Sequence, residues 1–320
     1  MKTVFMFPGQ GSQQPGMAAD LATRSQAIQF LFRDADHIVG FPLSHLCFEG
    51  PAEKLDTTAA SQPAIFLASV ACLAAIRSGL AAPQLTDVEP DACLGLSLGE
   101  YTALYAAGAL SFAEALRLVQ VRGEAMQAAA DQNPGGMVSL LGLDEPAVHR
   151  LCAAVLKERP VEPDGVPAVL LPVNFNCPGQ IVLSGTRDAC RLAAQLAEKS
   201  GARAVPLRVA GAFHTSLMVP AAERLEAALE SCSFSDPECP VLANVDAEPY
   251  HNAAQIPPKL LAQLTSPIRW QQSIERLLGE GCRRFIEIGP GRVLAGLVKK
   301  IARAARAKPE IINVSGLPVS

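Results

Sequence analysis

The sequence predicts an α/β protein with a mostly parallel sheet and a small second domain set into the larger one. Short apolar runs at Thr3-Val-Phe-Met-Phe7, Ala92-Cys-Leu94 and Arg284-Phe-Ile-Glu-Ile288 each lead into a glycine-containing turn, and helical patterning follows. That rhythm of buried strand, turn and helix is the signature of a parallel sheet. Residues 134–208 follow another order, β-α-β-β-α-β, which is the ferredoxin-like arrangement. The predicted division is therefore a discontinuous large domain, 1–133 and 209–320, with a small domain of 134–208 inserted in it.

In chain order, Thr3–Phe7 reads as a buried strand ended by Pro8, and Gly9-Gln-Gly-Ser-Gln13 is a polar loop at its carboxyl end. Loops in that position bind ligands in doubly wound sheets. Helical patterns occupy 25–39 and 61–79, the second opening on Ser61 and Gln62-Pro63. Ala92–Leu94 is the next strand, Glu100–Ala107 a helix, and Ser111 caps a helix running to Gln132. In the small unit, Met137–Leu141 is strand-like, Glu145–Glu158 helical, and 168–175 with 180–184 form a hairpin around Asn176-Cys-Pro-Gly179. Asp188–Ser200 is helical and Ala204–Val209 a last strand. The return to the large unit carries Gly211-Ala-Phe-His214, a helix to about Ser231, a strand-like 241–245 and helices around 258–264 and 270–279. The strand Arg284–Ile288 and the helix Val293–Ala305 complete the pattern.

Composition excludes several classes. Hydrophobic residues make up 49% of the 320 and charged residues 18%, which rules out wholesale disorder. A formal net charge of -4 gives no electrostatic reason to bind nucleic acid or an anionic membrane. The N-terminus turns to Gly and Gln too early for a signal peptide, and no stretch reads as a membrane-spanning helix. The nine cysteines are scattered without a C-x-x-C pair, as expected of reduced thiols packed as small hydrophobes rather than metal ligands. A soluble cytoplasmic protein without a metal site is expected.

The chemistry concentrates in Gly95-Leu-Ser-Leu-Gly99. Strand, sharp turn with a central Ser, then helix is the context of a nucleophile elbow. The helix start behind Ser97 offers backbone N–H groups to a developing oxyanion. A serine nucleophile needs a base, and there are five histidines: 37, 45, 149, 214 and 251. His214 alone follows a strand at a glycine-containing turn and precedes a new element, so it is the favoured base. The chain order is not that of an α/β-hydrolase, in which acid and histidine come last and an HGGG-like loop precedes the serine. Arg122 lies among the apolar positions of its helix, where it needs a partner or a route to solvent.

Taken together, seven ordered motifs resemble the malonyl-CoA:acyl-carrier-protein transacylases of fatty-acid and polyketide synthesis. They are Phe7-Pro-Gly-Gln-Gly-Ser-Gln13, Gly95-Leu-Ser-Leu-Gly-Glu-Tyr101, Val119-Gln-Val-Arg-Gly-Glu-Ala-Met126, Asn174-Phe-Asn-Cys-Pro-Gly-Gln180, Gly211-Ala-Phe-His214, Gln263-Leu-Thr-Ser-Pro-Ile-Arg-Trp270 and Ile288-Gly-Pro-Gly-Arg-Val-Leu294. The resemblance implies a hydrolase-like core holding a ferredoxin-like insert. It also implies ping-pong transfer of malonyl from malonyl-CoA to the phosphopantetheine thiol of an acyl carrier protein, with no permanently bound cofactor.

The resemblance also implies residue roles. Ser97 is the nucleophile and His214 the base. The backbone N–H groups of Gln10 and Leu98 form the oxyanion hole. Arg122 holds the malonyl carboxylate. Gln263, through side chain or carbonyl, orients the imidazole. Asn174 and Asn176 either line the cleft or cap the small domain's own loops, and Phe213 narrows the pocket beside the α-carbon. One position departs from the family's common G-H-S-x-G: Leu96 replaces the histidine, with a packing change expected. The competing functions are an acyl hydrolase or editing thioesterase on the same scaffold, and a non-catalytic carrier-protein binder. The basic positions Lys299, Lys300 and Arg303 are either a solvated helix face or a docking patch for an acidic carrier protein.

Overall fold

The computed structural model describes residues 1–317. Its larger sheet has four strands: β1 (Thr3–Phe7), β2 (Ala92–Gly95), β7 (Arg284–Ile288) and β8 (Glu310–Val314), in the order β2-β1-β7-β8. Every pairing in it is parallel. β1 and β2 are buried at every position, which is why they read as continuous apolar runs rather than alternating ones. The parallel register places Phe7 beside Gly95, so the loops that follow β1 and β2 leave the same edge of the sheet side by side. A ligand crevice belongs at that edge.

The smaller sheet is antiparallel and comprises β3 (Gly135–Leu141), β4 (Leu170–Cys177), β5 (Gln180–Thr186) and β6 (Arg203–Pro206), ordered β4-β5-β3-β6. With the helices Glu145–Glu158 and Arg187–Lys199 it is a ferredoxin-like unit with its own apolar cluster, which includes Val138, Leu140, Val148, Leu183 and Ala193. β4 ties it to the larger unit: Phe175 N–H donates to the Ile268 carbonyl (3.0 Å) and Ile268 N–H to that of Val173 (2.7 Å).

Several elements differ from the sequence expectation. The hairpin strand extends through Asn176-Cys177 and turns only at Pro178-Gly179, where Gly179 supplies φ 74°. Asn174 and Asn176 therefore lie in a strand. Residues 241–245 form isolated bridges, Cys93 with Val241 and Leu242 with Pro249, rather than a strand. Short helices at Ala19–Arg24, Leu43–Glu49 and Ala52–Leu55 were not anticipated, because four to seven residues hold too few periods to register. β8, half-exposed and behind Pro309, gave no apolar run to read.

The helix expected at 61–79 is Thr58–Arg77, with Pro63 inside it. Contrary to the expectation of no such stretch, this helix is long and apolar enough to cross a membrane, but 83% of its apolar window is buried inside the protein. It packs along the helix Phe112–Gln132, which opens on a capping box between Ser111 and Glu114. A Cβ on Gly123 would lie 2.7 Å from the Thr58 carbonyl oxygen, so this glycine sets how closely the two helices approach. All nine cysteines are free.

Candidate active site

Glycines build the elbow. A Cβ on Gly95 would run into the carbonyl of Gly99, and one on Gly99 into the carbonyl of Phe7. G-x-S-x-G thus has its two glycines where strand end and helix start fold onto each other. Between them Ser97 takes φ 54°, a conformation a non-glycine residue holds only when its surroundings enforce it. The enforcement comes from Asn244: its Oδ1 accepts the Ser97 N–H (2.6 Å) while its Nδ2 donates to the Gly95 carbonyl (2.8 Å).

Gly9 brings in the loop after β1. A side chain there would collide with the Leu96 carbonyl, and Leu96 N–H donates to the Phe7 carbonyl at 3.1 Å. The backbone N–H groups of Gln10 and Leu98 have no protein acceptor among the described residues, while the Gln10 side chain donates to Thr58 Oγ1 (3.3 Å). Gly9→Ala is expected to lower the melting temperature, since overpacking costs about 1–3 kcal/mol, and to slow acylation of Ser97. An unchanged melting curve would show that the loop yields.

His214 comes from across the sequence and also sits at positive φ, 63°. Its Nε2 is 3.0 Å from Ser97 Oγ and its Nδ1 is 2.8 Å from the Gln263 carbonyl oxygen. A carbonyl only accepts, so the network assigns the proton to Nδ1 and leaves Nε2 free to accept from the serine hydroxyl. Burial, and then the neighbouring Arg122 charge, lower its pKa from 6.5 to about 4, so the ring is neutral at pH 7. Two other histidines are exposed and lie near carboxylates one helical turn away, His45 with Glu49 and His149 with Glu145.

Arg122 is 1% exposed. One nitrogen, Nη1, donates to Gln62 Oε1 (2.7 Å); Nη2 donates to both Gln263 Oε1 and Ser97 Oγ, each at 2.9 Å. The Tyr101 ring lies 5.5 Å from the guanidinium carbon, and Nε has no partner. A buried, cationic fork is therefore aimed at the nucleophile with neutral partners only, ready for an anion.

Beneath this layer lies Glu100, fully buried. Oε2 accepts from Gln263 Nε2 (2.6 Å) and Asn244 N–H (3.0 Å), and Oε1 accepts from the Tyr250 hydroxyl. Burial raises its pKa to about 7, against the opposing pull of these donors and of Arg122.

The sequence-read residues Ser97, His214, Arg122 and Gln263 thus meet within hydrogen-bond distance. Phe213 is buried in the main apolar cluster. Asn174 and Asn176 make no hydrogen bond to this group, and both Oδ1 atoms are without a partner. Leu96 packs against the cluster of Val4, Met6, Leu94 and Trp270. Gln62, Glu100, Asn244 and Tyr250 are not among the residues the sequence distinguishes. The readable signals are a glutamine in a largely apolar helix and an acid directly behind the elbow. Among the described residues no group of three or more potential metal ligands occurs.

The arrangement supports acyl transfer through a serine ester: nucleophile, base, free oxyanion donors and an anion clamp. The comparisons agree. The acyl transferase domain family matches residues 4–314. A Bacillus subtilis protein named malonyl CoA-acyl carrier protein transacylase is 43% identical over 319 residues, covering 98% of this chain and 96% of its own. The structure of the Coxiella burnetii transacylase of that name superposes with TM-score 0.89 at 35% identity, over 99% of this chain and 94% of that one. A malonyl-transacylase solved in complex with a holo type II polyketide acyl-carrier protein gives TM-score 0.88 at 38% identity, over 99% and 96% of the two chains. The chain belongs to the acyl transferase domain family and, within it, to the malonyl-CoA:acyl-carrier-protein transacylases.

Proposed function

We propose that this protein transfers malonyl from malonyl-CoA to the phosphopantetheine thiol of an acyl carrier protein, through a malonyl-Ser97 ester. The observation that carries the reading is Arg122 Nη2 standing 2.9 Å from Ser97 Oγ. An enzyme that clears mixed acyl chains has no use for a buried guanidinium at the nucleophile. A substrate with a free carboxylate one carbon from its thioester has.

In the first half-reaction Ser97 Oγ attacks the thioester carbonyl as its proton passes to His214 Nε2. The oxyanion forms against the Gln10 and Leu98 N–H groups; the Ser97 N–H is already engaged by Asn244. Collapse breaks the C–S bond, and the CoA thiolate takes the proton from the imidazolium. In the second half the carrier thiol gives its proton to His214 and attacks the ester, and Ser97 regains its hydrogen as the C–O bond breaks. Gln263 orients the ring through its carbonyl and Arg122 through its side chain. Nothing in this route requires a bound cofactor, and malonyl-CoA enters as substrate.

Phe213 narrows the pocket beside the α-carbon, and Asn174 and Asn176, with unpartnered oxygens on β4, line the cleft toward the small domain. That domain is residues 134–208, the catalytic one 1–133 and 209–320, and the protein works in the cytoplasm. The basic positions Lys299, Lys300 and Arg303 are read as a solvated helix face rather than the docking patch. The helix Val293–Ala304 starts at the elbow edge and runs back along the sheet, placing Arg303 at the opposite edge, and Lys300 is partly used in donating to Gln180 Oε1 (3.0 Å).

Radiolabelled malonyl-CoA should place label on Ser97 and, when holo carrier protein is added, pass it to the carrier. Release of free malonate without carrier loading would sink the reading.

A further inference from the structure

We infer that Glu100 is a positioning residue: a buried carboxylate that braces the nucleophile elbow against the histidine's support. The inference rests on Ser97 being the nucleophile of the proposed reaction.

Two segments far in sequence from Ser97 must hold their geometry for it to meet His214. One contains Asn244, whose side-chain amide spans the elbow from Gly95 to Ser97. The other contains Gln263, whose carbonyl accepts from His214 and whose side chain reaches Arg122 and the Ser97 carbonyl. Glu100 lies in the first turn of the elbow helix and joins them, since a single oxygen, Oε2, accepts from the Asn244 backbone and from Gln263 Nε2.

Oε2 faces two donors and acts only as an acceptor, which has a specific consequence. A side-chain amide can face an arginine with its oxygen or its nitrogen, and only the oxygen accepts. By demanding the Gln263 N–H₂, the Glu100 carboxylate turns Gln263 Oε1 toward Arg122 and a donor toward the Ser97 carbonyl. A neutral amide at position 100 cannot accept at both positions: its N–H₂ meets either the two donors at Oε2 or the Tyr250 hydroxyl, and the brace loses or reverses one of its bonds. Tyr250 completes the brace: its hydroxyl donates to the other carboxylate oxygen from outside the reacting groups.

The test uses a fluorophosphonate probe, which reports how well Ser97 and His214 are poised without needing malonyl or carrier. Glu100→Gln should label on the order of 10- to 100-fold more slowly than wild type, as expected for misplaced reacting groups. Tyr250→Phe removes only the outer donor to the same carboxylate. Combined with Glu100→Gln it should slow labelling by no more than about twofold beyond Glu100→Gln alone, the non-additivity of residues in direct contact. Melting curves establish that the variants fold. A folded Glu100→Gln labelling at the wild-type rate overturns the inference, as does a double variant slowed by the full product of the two single effects. Should Glu100→Gln not fold, Tyr250→Phe decides: labelling should slow severalfold, and a wild-type rate overturns the brace. Wild-type protein that takes the probe but not malonyl-CoA would refute the proposed function and leave the brace standing.

Discussion

Arg122→Ala is expected to cut malonyl transfer by on the order of 100- to 1,000-fold while lowering acetyl transfer less than tenfold. The guanidinium is fully enclosed, so a carboxylate reaching it leaves water and must be repaid by a two-pronged, charge-assisted bond. Losing one partner of such a buried pair costs about 2–5 kcal/mol, and each 1.4 kcal/mol is tenfold. In the free protein Nη2 rests on Ser97 Oγ. In the proposed reaction malonyl exchanges that contact for the substrate carboxylate, while Ser97 Oγ keeps its bond to His214 Nε2. Acetyl has no carboxylate to offer, so it should lose only the packing and alignment that Arg122 gives its neighbours. Arg122→Lys should fall between, because an ammonium keeps the charge without the fork. The measurement is kcat/KM for both acyl-CoA substrates in both variants, and equal losses for malonyl and acetyl would remove the clamp role.

The residues whose chemistry is distinctive were readable in the sequence, and the residues that hold them were not. Ser97 announces itself by a sharp turn behind a strand, His214 by its glycine-containing turn, although β6 ends at Pro206 rather than Val209, and Arg122 by being a charge in an apolar stripe. Their supports are amides and a tyrosine, residue types that occur everywhere and whose partners are distant. Ser97 and Asn244 are 147 positions apart, and Gln263 and Glu100 are 163 apart. Only the fold supplies such pairings. The same contrast holds for the elements. The fully buried β1 was read to its exact ends, whereas the half-exposed edge strand β8 was missed and the bridge-forming 241–245 was taken for a strand. In the β4–β5 hairpin the sequence places Asn176 in the turn, a position Asn commonly takes; strand pairing outweighs that preference.

His214→Ala is expected to slow acylation of Ser97 by about 10²- to 10⁴-fold, the range attributed to a positioned general base. The pH dependence identifies the same group independently. In the folded protein the ring is deprotonated down to about pH 4, because burial and the Arg122 charge both disfavour the imidazolium. The acid limb of kcat/KM assigned to His214 should therefore lie well below 6.5, near 4. Arg122→Ala removes the smaller of the two causes, so in acetyl transfer by that variant the limb should move upward while burial still holds it under 6.5. Stability follows the same titration. The unfolded chain takes the histidine proton first, so this contribution is complete above pH 6.5 and is lost as pH falls toward 4. Glu100 runs the other way: its raised pKa favours the folded state below 4.5 and loses that advantage as pH rises through about 7. The two opposing slopes overlap between 4.5 and 6.5, and His214→Ala should leave only the second in a melting-temperature series against pH. An acid limb at 6.5 or above in the wild type would mean that the base is solvated, and the buried geometry described for His214 would not be the one that reacts.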